Sequence, residues 1–252
     1  MSEIYNRNLQ IIEYIKRHGH AKTEEIAKEF FLSESSVRRI FDALERQGAI
    51  KRTHGGATLS ESNTERSLNV RASINYEAKR RLALFARDYI PQFSCVFLDN
   101  SSTVLSLAHE LTLTGKTVVT NGLHLALDLT SNEMKELITL GGVIHRSSTG
   151  VYGSRACEAL NGFHFDVMIF SCAAFDATSA YESTDEVASF KFISRRFGVK
   201  KILIVDGSKF NKSTPCRTAY LNEYDLILTD VPRDVASEIR AGGANIITSS
   251  EV

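Results

Sequence analysis

Two adjacent arginines, Arg38 and Arg39, follow the run S-E-S-S-V from Ser33 to Val37. A guanidinium is planar and always charged, and it can grip a guanine edge or a phosphate through two parallel N–H bonds. Ser33, Ser35 and Ser36 place hydroxyls nearby that can reach phosphate oxygens or base edges. Lys51, Arg52, His54 and Gly55 extend this set a short way along the chain. From Ser35 to Ala57, five basic residues (Arg38, Arg39, Arg46, Lys51, Arg52) less two acidic ones (Asp42, Glu45) leave a local charge of +3. The whole chain, with 30 basic and 30 acidic residues, is neutral. A basic face on a neutral chain suits modest, switchable affinity for a polyanion.

A second set of polar residues recurs just after short apolar runs. It comprises Asp99-Asn100-Ser101-Ser102-Thr103, Thr120-Asn121-Gly122, Gly141-Gly142, Ser171-Cys172-Ala173-Ala174 and Asp206-Gly207-Ser208-Lys209-Phe210. Small residues, hydroxyls and amides at helix starts favour anions, because free backbone N–H groups point at them. Lys209 adds a cation, and a small phosphate-bearing molecule is the natural guest. The glycine signatures of dinucleotide-binding and P-loop folds are absent. An enzymatic alternative would use Asp99 as a base and Lys209 as its electrostatic partner.

The elements that must position these residues can be read from periodicity. Leu9, Ile12 and Ile15 recur at helical spacing from Asn8 to Arg17, and His18-Gly19 ends that helix. Thr23 is expected to cap a second helix, with Ile26, Ala27 and Phe30 inward. Ser33 caps a third, whose stripe is Val37, Ile40, Phe41 and Leu44 and whose end is Gly48. Residues 49–59 read as a two-stranded wing turning at or near Gly55-Gly56. This is a winged helix-turn-helix, in which the third helix enters the DNA major groove.

Residues 60–76 read as a polar linker and 77–252 as a larger domain, after a first domain at 1–59. A basic helix from Glu77 to Tyr89 should turn Ala78, Leu82, Phe85 and Ala86 inward and Lys79, Arg80 and Arg81 outward. Strands are expected at 94–98, 117–120, 137–140, 167–172, 201–205, 226–229 and 245–247. Helices fall between them, near 103–111, 123–129, 154–161, 186–197 and 234–241. That alternation implies an α/β fold, a parallel sheet covered on both faces, with ligands bound beyond the strand C-termini.

Composition sets the outer limits. The chain has 252 residues, 43% hydrophobic and 24% charged, as in ordinary globular proteins. No apolar run reaches the roughly 18 residues of a membrane span, and the polar start M-S-E-I-Y-N-R lacks a signal core, so a cytoplasmic location is expected. Cys95, Cys157, Cys172 and Cys216 form no C-x-x-C pair, which argues against structural zinc, and no cofactor is expected. Cys95 and Cys172 read as small core residues.

Both halves resemble the DeoR family of bacterial transcriptional regulators. The family pattern V-S-x-x-T-I-R-R-D-L, then L-x-x-x-G and R-x-H-G-G-A, appears here as L-S-E-S-S-V-R-R-I-F, L-E-R-Q-G and R-T-H-G-G-A. Ser36 stands for the threonine and Ile40 for the acid, with Asp42 two positions later. The family's D-x-G-T-T, T-N-S, G-G and D-S-S-K-F match the strand-end loops at Asp99, Thr120, Gly141 and Asp206, and a later lone glycine is Gly153. Ser101 replaces the glycine of the first of these, where a side chain could crowd a phosphate. The family's E-x-x-x-K is not kept, because Glu186 and Lys191 lie five apart, and only Lys191 stays in the expected site.

The resemblance implies a winged helix-turn-helix joined to an effector domain related to the sugar-phosphate isomerase fold. It implies a repressor of a carbohydrate uptake or catabolism operon that binds double-stranded operator DNA and a small phosphorylated sugar, as a homodimer or homotetramer. The effector contacts it implies are Asp99, Ser101, Ser102, Thr103, Thr120, Asn121, Gly141, Gly142, Lys191, Asp206, Ser208 and Lys209. Two other readings are a sugar-phosphate isomerase-like enzyme with an accessory DNA-binding domain, and a large domain that only oligomerises.

Overall fold

The computed structural model describes residues 3–46, 49–60 and 68–251. Gly48, expected to end the third helix, and residues 61–67 of the expected linker lie outside them, as does the side chain of Leu9. The chain divides into two units, Met1–Asn75 and Tyr76–Val252.

The first unit runs α1 (Glu3–His18), β1 (His20–Lys22), α2 (Thr23–Glu29), α3 (Glu34–Arg46), β2 (Ile50–Thr53), β3 (Gly56–Leu59) and α4 (Leu68–Ser73). Its core closes around Ile11, Ile12, Ile15, Ile26, Val37, Phe41, Leu44 and Ile50. Each such side chain, once fully buried, contributes about 1.5–3 kcal/mol. Ser33 caps α3 as expected, its Oγ accepting the Ser36 N–H at 3.2 Å. At α2 the expectation was one residue late. Thr23 is the first helical residue, and the Glu25 carboxylate takes the Lys22 N–H at 2.9 Å instead.

The wing contains a third strand that local pattern did not reveal. β1 pairs with β3, and β3 pairs with β2, all antiparallel. The H-G-G-A motif serves this sheet. Gly55 adopts φ 80°, the left-handed region that glycine takes without a Cβ clash, and its carbonyl accepts the Thr23 N–H at 2.8 Å. At Gly56 a Cβ would run into the Ala21 carbonyl oxygen and the His20 ring. Gly56→Ala is therefore expected to loosen the wing, at a cost of about 1–3 kcal/mol for overpacking. Amide exchange at Ala57 and Thr58 should accelerate while exchange in the second unit stays the same.

The second unit contains α5 (Tyr76–Ala86), β4 (Cys95–Leu98), α6 (Ser102–Ala108), β5 (Thr117–Thr120), α7 (Leu123–Leu129) and β6 (Glu136–Thr139). Then come β7 (Val143–Ile144), β8 (Val151–Tyr152), α8 (Ser154–Ala159), β9 (Phe165–Phe170), β10 (Ala174–Phe175), β11 (Ser179–Glu182) and α9 (Asp185–Ser194). It ends with β12 (Gly198–Val205), β13 (Cys216–Tyr220), β14 (Leu226–Thr229), α10 (Arg233–Ala241) and β15 (Ile246–Thr248).

Seven strands form one parallel sheet in the order β15-β14-β12-β9-β4-β5-β6. All seven coincide with the apolar runs expected as strands. Their inward residues, among them Phe97, Phe165, Met168, Phe170 and Leu203, build the core. From β4 the chain winds one way through β5 to β6, and from β9 it winds the other way. The sheet therefore changes direction between β4 and β9, and a crevice opens at their C-terminal ends.

Three features of this unit were not expected. An antiparallel sheet, β10-β11-β13, and a hairpin, β7-β8, are added to the parallel sheet. Lys79 faces inward and is buried, not outward, on α5. Cys95 is only half-buried, whereas Cys172 is fully buried, and burial pushes its thiol pKa up to about 12. No helix among the described residues is long and apolar enough to cross a membrane.

Candidate functional site

The first candidate surface lies on α3 and the wing. Ser33, Ser35, Arg38, Arg39, Lys51, His54 and Gly55 are exposed, and Ser36 is half-buried. The Ser33 hydroxyl lies 2.9 Å from that of Ser35 and 2.8 Å from that of Ser36, so the start of α3 presents a cluster of hydroxyls. Arg38 pairs with Glu34 at 2.8 Å, one turn back along the helix. Arg39 has no hydrogen-bond or ion-pair partner among the described residues. Arg52 is turned back onto α3, where its guanidinium meets Asp42, and its N–H donates to Glu45 at 2.8 Å. Asp42 thus braces the wing against α3. Ile40, in the place of the family's acid, is half-buried against the core. His20 Nε2 lies 3.0 Å from the Thr53 hydroxyl and links β1 to β2.

The second surface is the crevice of the parallel sheet, where the loops after β4, β9 and β12 meet. Asp99 is fully buried. Its Oδ2 lies 2.7 Å from Lys191 Nζ and accepts the Ser171 N–H at 3.3 Å. Its Oδ1 has no hydrogen-bond partner among the described residues. Lys191, on α9, also donates to Glu182 Oε1 at 2.6 Å and to the Ser171 carbonyl at 2.7 Å. Burial pushes the Lys191 ammonium pKa down. Asp99 and Glu182 together outweigh that effect and hold it well above the ordinary lysine value.

Lys209 reaches the same place from the loop after β12. Its Nζ lies 3.3 Å from Thr103 Oγ1, 3.3 Å from Ser171 Oγ and 3.4 Å from Asp206 Oδ2. Ser171 is therefore the hub, bonded to Asp99 and to both lysines. The Lys209 side chain keeps 18% exposure against 4% for Lys191, so Lys209 is the cation that solvent reaches. Burial raises the Asp206 pKa, but Lys209, the Ser208 hydroxyl and Lys79 outweigh it and hold the carboxyl below its usual range. Ser208 donates to Asp206 Oδ1, which fixes the loop.

The remaining expected residues lie at the C-terminal ends of β4, β5 and β6 and in the loops that follow them. Asn100 N–H donates to Asn121 Oδ1 at 3.0 Å, and Asn121 Nδ2 donates to the Val151 carbonyl at 3.3 Å. Thr120 donates to the Leu98 carbonyl at 2.6 Å and accepts the Gly122 N–H at 3.0 Å. Ser101 caps α6, its Oγ accepting the Val104 N–H at 3.1 Å, so this side chain turns into its own helix. Ser102 and Thr103 are buried in the first turn of α6. Gly141 and Gly142 are exposed beyond the edge strand β6. A Cβ on Gly142 would sit 2.5 Å from the Tyr152 carbonyl oxygen, so this glycine lets the chain pass close over β8.

Glu182 is not among the expected site residues. Ser171 belongs to the strand-end polar set read from the sequence but not to the effector contacts implied by the resemblance. Glu182 lies on β11, in the added antiparallel sheet, and nothing in its local pattern marks it. The family's E-x-x-x-K would place the carboxylate partner of Lys191 on its own helix. The structure supplies it from a strand nine residues earlier.

The chain thus carries a winged helix-turn-helix followed by a parallel α/β unit with polar strand-end loops, and its relatives say what that pairing serves. Residues 7–63 match the DeoR-like helix-turn-helix domain, and residues 74–231 match the DeoR C terminal sensor domain. The chain belongs to the DeoR family, and it is a DNA-binding transcriptional regulator rather than an enzyme. It is 32% identical to the HTH-type transcriptional repressor GlcR of Bacillus subtilis over 228 residues, 89% of this chain and 87% of that one. Identity is 29% to the glycerol-3-phosphate regulon repressor of Escherichia coli K12, over 91% of this chain and 92% of that one. It is 28% to a putative aga operon transcriptional repressor of Escherichia coli O157:H7, over 97% and 94%.

Proposed function

We propose that this chain is a cytoplasmic repressor of a carbohydrate uptake or catabolism operon. It binds paired operator half-sites as a homodimer or homotetramer through Ser33, Ser35, Ser36, Arg38, Arg39, Lys51, Arg52, His54 and Gly55. A phosphorylated sugar in the sensor crevice releases it. The names of its relatives support the operon class, since they include repressors of the aga operon and the glycerol-3-phosphate regulon.

One observation carries the effector reading. Lys209, the more exposed of the two lysines, and the buried carboxylate of Asp99, whose Oδ1 has no partner among the described residues, meet through Ser171, which bonds Lys209 Nζ and Asp99 Oδ2. A buried acceptor without a donor is costly, and a sugar hydroxyl supplies one. An ammonium at the mouth suits the phosphate of the same molecule. The charge beside Asp206 and the hydroxyls of Thr103 and Ser171 then fix its orientation.

Coupling between effector and DNA of about 1–3 kcal/mol changes DNA affinity roughly 5- to 150-fold. Lys209→Ala in the full chain is expected to bind an operator duplex as the wild type does. Its release by pentose or hexose phosphates should need at least about tenfold more ligand, a step of about 1.4 kcal/mol. Fluorescence anisotropy of a labelled duplex measures both. An unchanged release midpoint in the variant would remove Lys209 from the effector site.

A further inference from the structure

Phe31 lies in the turn between α2 and α3, two residues before the Ser33 cap, and its conformation and exposure both oppose its residue type. Its φ is 51°, in the left-handed region where a Cβ crowds the following carbonyl. The residue is 96% exposed, more than any other exposed large apolar residue among those described. The residues on either side behave differently: Phe30 and Leu32 pack against the helix-turn-helix core. The turn is held by backbone bonds, Leu32 N–H to the Ala27 carbonyl at 2.8 Å and Phe30 N–H to the Ile26 carbonyl at 3.0 Å, which any side chain permits. Glycine at this position would relieve the backbone and remove apolar surface from water. A lone exposed ring is common on protein surfaces. A lone exposed ring held in a left-handed turn is not explained by the fold, and such outliers gather where a function uses them.

The surroundings indicate what that use is. Phe31 lies in the chain just before the end of α3 that carries the Ser33, Ser35 and Ser36 hydroxyls, with Arg38 and Arg39 one turn further on. Glu34, the acid nearest the cap, is paired with Arg38. A duplex that meets this row offers few apolar surfaces: the deoxyribose edge and the 5-methyl group of thymine. Phenylalanine is among the side chains that make apolar contact with that methyl group. We propose that Phe31 is a DNA contact, its ring set against an apolar edge of the duplex at the margin of the site read by α3, and that it adds preference at a position the arginines do not reach. This rests on α3 being the reading helix.

The test uses the full chain and a duplex selected by the wild type from a random pool. Phe31→Gly and Phe31→Asn both suit a left-handed turn. Both variants are expected to melt at or above the wild-type temperature and to bind the selected duplex about tenfold more weakly, the scale of one lost base-pair preference. Thymines are then replaced one at a time by uracil, which lacks the methyl group. A position where uracil weakens the wild type and leaves Phe31→Gly unaffected identifies a methyl contact. A uniform loss with no such position identifies the sugar edge. Unchanged affinity in both variants would overturn the proposal. So would a fall in melting temperature, which makes the ring structural, or a change in sedimentation, which makes it a contact between copies of this chain. If the wild type enriches no duplex at all, the DNA-reading assignment of α3 fails first, and that outcome is distinct from a failure of Phe31 alone.

Discussion

A chain carrying Arg38→Ala and Arg39→Ala together is expected to lose sequence-specific DNA binding by about 100-fold or more, because each bidentate arginine contact is worth about 1–3 kcal/mol. The structure explains why this loss should be clean. Both side chains are exposed on α3, and neither contributes to the core formed by Val37, Phe41 and Leu44. Alanine keeps the helix. Arg39 is unengaged among the described residues, so nothing need break before it meets a duplex. Arg38 must leave Glu34, but an exposed pair one turn apart is worth only about 0.3–0.5 kcal/mol.

The salt dependence of binding separates the two jobs an arginine can do. A lost phosphate contact lowers the slope of log affinity against log salt by about one and weakens all sequences alike. A lost guanine contact leaves the slope and relaxes preference at one base pair. Single and double variants, titrated by anisotropy at several salt concentrations, assign each residue. Wild-type affinity and slope in the double variant would remove α3 from the DNA interface.

The second large effect is expected at Lys191. Lys191→Met leaves the carboxylates of Asp99 and Glu182 buried with their shared cation gone. Breaking a buried ion pair from one side typically costs about 3–5 kcal/mol, because the remaining charge keeps its desolvation penalty. For a domain of this size that lowers the melting temperature by about 6–20 °C, at about 2–4 °C per kcal/mol. Methionine fills a similar volume, so the loss reads charge rather than a cavity.

The pH dependence gives a second signature. In the wild type the Lys191 pKa is raised on folding. Its contribution is therefore complete below the unfolded lysine value of about 10.4 and is lost only as pH rises through the higher folded value. This residue should leave wild-type stability level between about pH 5 and pH 9. In Lys191→Met, one of the two crowded carboxylates can relieve the repulsion by taking up a proton, so the variant should be more stable at pH 5 than at pH 8. Thermal melts at the two values test both statements. A variant with wild-type melting temperature, or with no recovery in acid, would show that Lys191 does not hold the two carboxylates.

Local pattern carried much of this fold. A strand or helix writes its period into a few neighbouring residues, so the seven strands of the parallel sheet and the cap at Ser33 could be read without coordinates. Lys79 shows where that reasoning stops. Helical spacing gives a residue its angle around α5, but which side is buried depends on what packs there, and Lys79 faces inward beside the Asp206 carboxylate. The third wing strand is three residues long, too short to show a period, and it exists because β3 offers it an edge.

The order of residue types along the chain determined on its own a basic, serine-capped third helix, an alternation of strand and helix, and a row of polar strand ends. Only the folded chain decided which of those ends meet. Thr103 and Lys209 are 106 residues apart and touch because the sheet reverses its winding between β4 and β9. Glu182 reaches Lys191 because an added antiparallel strand carries it there. Periodicity is set by backbone geometry over a few residues, whereas the partner of a buried charge is set by the lowest free energy among contacts distant in the chain.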